Sequence, residues 1–65
     1  MIRYLIELKR GMWLTTYADE ANDRDAAVIY NHEETAERGW KEAKSNGFPK
    51  ARVVKVRVTV EEVTE

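Results

Sequence analysis

The chain has 65 residues, no cysteine, and eleven lysines and arginines against twelve aspartates and glutamates. A chain this short is expected to be one domain spanning residues 1–65, near the lower size limit for independent folding and worth about 3–10 kcal/mol of stability. Neither a disulfide framework nor a thiolate metal site can support its small core, no apolar run is long enough to span a bilayer, and the balanced charge lacks the positive excess of a non-specific nucleic-acid binder. The lack of cysteine and of a charged-then-apolar leader makes the cytoplasm the expected compartment.

The opening "MIRYLIELK" alternates: Ile2, Tyr4, Ile6 and Leu8 are apolar, whereas Arg3 and Glu7 between them are charged. That is the pattern of a half-buried strand, broken only by Leu5, an apolar group on the polar side. Lys9-Arg10-Gly11 then reads as a hairpin connection into a second strand, Met12 to Tyr17. The acidic "ADEANDRD" reads as an exposed loop, and the apolar, β-branched "AAVIY", Ala26 to Tyr30, as a short third strand.

Asn31 is placed to cap a helix, with Glu34 three residues on to complete a capping box and Glu33, Glu34 and Glu37 near the positive pole of the helix dipole. Helical spacing sets His32, Ala36, Gly39, Trp40 and Ala43 on one stripe, one large ring among small residues. "SNGFP" ends the helix: Gly47 suits the left-handed position after the cap, Phe48 can fold back onto Ala43, and Pro49 blocks continuation. The last segment, "ARVVKVRVTVEEV", alternates most cleanly, with Val54, Val56, Val58 and Val60 expected on the core face and Val53, Lys55, Arg57, Thr59, Glu61 and Val63 on the other. A run of about twelve residues would overhang the first strand, to be explained by twisting or disorder at its end or by strand addition to a partner. The resulting fold class is α+β, in the order β-β-(β)-α-β, with a single helix on a mainly antiparallel sheet.

The direction of Trp13 depends on the first turn. A two-residue loop of Arg10-Gly11 would pair Leu8 with Trp13 and bury Trp13 and Tyr17 beneath the helix, but it asks for positive φ at Arg10. A three-residue loop needs the left-handed conformation only at its last residue, Gly11, and is preferred. Leu8 then faces Met12 and Ile6 faces Leu14, leaving Trp13, Thr15 and Tyr17 on the open side. A slip of one residue exchanges the two faces.

Nothing in the chain carries enzymatic chemistry. His32 is the only histidine and has no nucleophile or orienting group paired with it in the sequence. Asp19, Glu20, Asp23 and Asp25 lack the order of a calcium loop, and no glycine-rich phosphate loop exists. No cofactor and no metal are therefore expected, and the protein reads as a non-enzymatic binding module. Its contacts are expected at Trp13, Tyr17, Lys55 and Arg57, with Arg3 and Leu5 beside them, because tryptophan, tyrosine and arginine are enriched in protein interfaces. The partner is an unidentified protein, with a homodimer through the last strand as another form of the same reading. Nucleic-acid or nucleotide binding by the same basic and aromatic face is the alternative; the acidic helix and tail oppose it.

In format, the start "MIRYLIEL", the helix "NHEETAERGWKEAKSNGF" and the closing strand "ARVVKVRVTV" resemble small accessory proteins encoded by bacteriophages and prophages. The resemblance implies a protein that binds and inhibits or redirects a host protein, anti-defence proteins being one such group. It assigns no functional residue.

Overall fold

Four strands and one helix follow one another as β1 (Ile2–Lys9), β2 (Met12–Leu14), β3 (Glu20–Ala21), α1 (Glu33–Ser45) and β4 (Arg52–Arg57), in a computed structural model that describes residues 1–16 and 19–58. All pairings are antiparallel and the strand order is β3-β2-β1-β4, so the first strand is interior and the last lies on an edge. This is the expected α+β architecture, with the helix between the third and fourth strands.

The β1–β2 hairpin turns on Gly11, whose φ of +79° is open to glycine at no steric cost. Lys9 pairs with Met12 and Glu7 with Trp13, with a register shift between the two pairs, so Met12 meets Lys9 and not the expected Leu8, while the bulge keeps the expected division of side chains between the two faces. Ile6 and Leu8 accordingly share a face with Met12 and Leu14. Ile6 and Leu8 form the buried cluster with Ala43 of the helix and Ala51, against which Met12, Leu14, Tyr30, Trp40 and Phe48 pack. Trp13, opposite Glu7, points to the other side of the sheet.

Helix α1 begins one residue later than expected. Its N-cap is His32, whose side chain makes no capping bond, so the Asn31 box is not formed. The cause lies upstream: Tyr30 exchanges both backbone hydrogen bonds with Tyr4, at 2.8 and 3.0 Å. The chain stays extended to that point and needs two residues to turn into the helix. Ala36 and Ala43 are buried, Gly39 and Trp40 half-buried, and His32 exposed. The indole N–H of Trp40 donates to the Ala51 carbonyl, tying the helix to the start of β4. Gly47, at φ +100°, lets the Phe48 N–H reach back to the Ala43 carbonyl at 3.2 Å, the helix ending that the sequence specifies.

The acidic loop is more ordered than its composition predicts. It contains β3 and a single 3-10 turn, Arg24–Ala26, capped by the Asp23 carboxylate accepting from the Asp25 N–H at 2.9 Å. Conversely, Ala26 to Tyr30 is not a continuous strand. It makes two isolated bridges, Thr15 with Ala27 and Tyr4 with Tyr30, and the Val28 N–H donates to Leu14. The segment wedges between β1 and β2 where they part, so its extended residues change partner from one bridge to the next.

The largest correction concerns β4. Leu5 pairs with Val54 and Arg3 with Val56, while Tyr4 pairs with Lys55 and Ile2 with Arg57. Partners across an antiparallel pair point to the same face. Val54 and Val56 therefore lie on the side away from the helix, and Val53, Lys55 and Arg57 on the helix side, the reverse of the expected division. Alternation shows which residues share a face and is silent on which face is core. The remainder of the expected long strand, Thr59, Val60 and Val63 included, falls outside the described residues. Among the described residues, no helix is long and apolar enough to cross a membrane.

Candidate protein-interaction surface

The residues singled out by sequence divide between two faces. Arg3, Leu5 and Trp13 share the side away from the helix, whereas Lys55 and Arg57 belong to the helix side by their pairing with Tyr4 and Ile2. Tyr17 falls outside the described residues. Trp13 and the two cations Lys55 and Arg57, which the nucleic-acid alternative set on one face, thus lie on opposite sides of the sheet. Leu5 is buried, with only 5% of it exposed.

Burial of Leu5 reveals a second apolar layer. Beside it on the same face stand Val54 and Val56, and Leu5 shares with Ala27, Ile29, Val56 and Val58 a shallow hollow of about 390 Å³ whose rim includes Arg24, Asp25 and Arg57. The 3-10 turn and the strand-like residues after it cover this layer only in part: Ile29 is 59% exposed and Val58 36%. Met1, 62% exposed, is joined to this end of the sheet by the Val58 N–H donating to its carbonyl. Leu5 was the one residue that broke the polar side of the first strand, and that break is the sequence signal of this second layer.

Farther along the same face, Trp13 is half-buried, with the Arg24 guanidinium 5.7 Å from its ring centroid, a cation–π arrangement. Glu7 accepts a 2.7 Å hydrogen bond from Arg52 Nε. That bond, joined by a weaker one from the Gly11 N–H, holds the Glu7 carboxyl below its ordinary range against the opposing effect of burial.

On the helix side, a groove of about 420 Å³ opens where the helix leaves the β2 half of the sheet uncovered. Leu8, Leu14, Val28, Tyr30 and Phe48 line it, with carboxylates from Asp19, Glu20 and Glu42 on its walls. Burial first and the Glu42 carboxylate second push the Tyr30 phenol above its ordinary range. Among the described residues no cluster of histidine and acidic side chains could hold a metal ion. Comparison with family models, with curated proteins and with solved structures yields no match.

Proposed function

We propose that this chain is a small, non-enzymatic protein-binding module that receives its partner on the sheet face turned away from the helix, at the end where β1 starts and β4 finishes. The observation that carries the reading is the partly covered apolar layer of Leu5, Val54 and Val56, continued outward by exposed Ile29, Val58 and Met1 and bordered by Arg24. Apolar centres with arginine at the margin are the usual composition of an interface core and rim. A domain of this size has little apolar area to spare, so an apolar layer on a second sheet face is most economically explained by a partner that completes its burial. The phage-like format favours a host protein as that partner, a defence component included, met in the cytoplasm.

The test compares the natural chain with Ile29→Asp and Val58→Asp as baits in a host lysate. Both substitutions fall on exposed positions, so unchanged circular dichroism melts are expected. A partner retained by the natural chain and lost by both variants supports the reading, and a partner retained equally by all three places the interface elsewhere.

A further inference from the structure

The edge of β4 has a chemistry of its own. The Val58 N–H donates inward to Met1, and Tyr4, opposite Lys55, turns both its backbone groups the other way, to Tyr30. Backbone groups in an antiparallel ladder alternate in direction along the strand. Those of Arg52, Val54 and Val56 therefore face β1, and those of Val53, Lys55 and Arg57 face outward from the sheet edge, where no described strand pairs with them. Resting on the protein-binding reading, we infer that this edge takes up an extended, acidic segment of the partner as a fifth strand.

Side-chain chemistry selects the occupant. An added antiparallel strand would set residues opposite Lys55 and Arg57 on the helix side and opposite Val54 and Val56 on the other. Both cations are exposed, so carboxylates belong opposite them, with apolar residues between. Read along the incoming strand from Arg57 to Val53, the pattern is acid, apolar, acid, apolar, apolar.

A second copy of β4 does not meet this demand. Its described strand residues, Arg52–Arg57, include no acid, so antiparallel pairing of these residues with a second copy of themselves sets Lys55 opposite a cation or an uncharged residue, and like charges directly opposite are destabilising. The acidic edge at the far side of the sheet has the right sign but, in β3, only two strand residues, too few to pair with Val53, Lys55 and Arg57 together. The positive edge thus works against self-pairing of Arg52–Arg57 and for an acidic strand.

Amide-resolved NMR titration with the capped peptide Gly-Glu-Val-Glu-Val-Val-Gly tests the inference. Saturable shifts centred on the Val53, Lys55 and Arg57 amides are expected, weakening as salt is raised. A Lys55→Glu/Arg57→Glu variant with unchanged melting should lose affinity by about tenfold or more, and should instead bind the peptide with lysine in place of both glutamates. Equal binding of the two peptides by the natural chain, or no saturation, overturns the inference. So does tighter binding of oligothymidylate at these amides, or concentration-dependent association of the chain alone in sedimentation that the double variant abolishes. A lysate partner that is lost by Ile29→Asp but kept by the double variant would sink the edge while leaving the apolar face standing.

Discussion

The ring of Tyr30 lies against the helix at Gly39, so closely that a β-carbon at that position would stand 2.6 Å from the phenolic oxygen and 2.8 Å from Ile6 Cδ1. A glycine in mid-helix ordinarily costs about 1 kcal/mol relative to alanine. Here the missing side chain is what lets the wedge between β1 and β2 close onto the helix. Gly39→Ala is therefore expected to destabilise, because overpacking costs about 1–3 kcal/mol against the propensity gain. Urea denaturation should show the loss shrinking in a Tyr30→Phe background, since removing the hydroxyl relieves the shorter contact.

The two tryptophans should respond differently to truncation. Trp40 packs on the core cluster and donates its indole N–H to Ala51. Trp40→Ala is expected to cost about 3–5 kcal/mol, comparable with the whole stability of so small a domain. Trp13 is half-buried on the opposite face, and Trp13→Ala should leave a cooperative melt with a loss of about 1–2 kcal/mol. Circular dichroism of the two variants decides this, and an unfolded Trp13→Ala chain would contradict the placement of its ring.

Gly11 fixes the face on which Trp13 lies. At φ +79°, alanine there is expected to cost about 1–2 kcal/mol, and Gly11→Asn less, because asparagine tolerates the left-handed region. The order glycine, asparagine, alanine in chemical denaturation midpoints checks the turn.

Acid should weaken the β1–β4 pair. The Glu7 carboxyl is held below its ordinary range chiefly by the Arg52 hydrogen bond, so its folded pKa lies below its unfolded one. Its contribution is complete above the unfolded carboxylate value and is lost as pH falls through the folded value. Arg52 is largely exposed, which limits the contribution to about 1 kcal/mol or less. Glu7→Gln should flatten this part of the stability profile in acid, measured as melting temperature against pH.

How far the sequence reads through to the fold differs from element to element. The Gly11 turn, the helix end at Gly47 and Phe48 and the core face of β1 and β2 are set by local chemistry, and all three were legible. The Asn31 cap failed because the Tyr30–Tyr4 pairing, a long-range contact, displaced the helix start. The faces of β4 came out reversed because register between strands far apart in the chain is decided by tertiary fit, while valines on both sides of a strand satisfy alternation either way. As for the candidate surface, Leu5 gave its only clear sign in the sequence. Its partner Val54, the exposed Ile29 and the outward amides of Val53, Lys55 and Arg57 emerge only once the strands are set side by side.

The interior position of β1 has a kinetic consequence. Ile2 must find Arg57, far along the chain, before the middle strand has neighbours on both sides. Closure of so long a loop, and not the fast local hairpin, should set the pace of refolding. Until it closes, the valine-rich segment stays unpaired and open to association with the wrong neighbour.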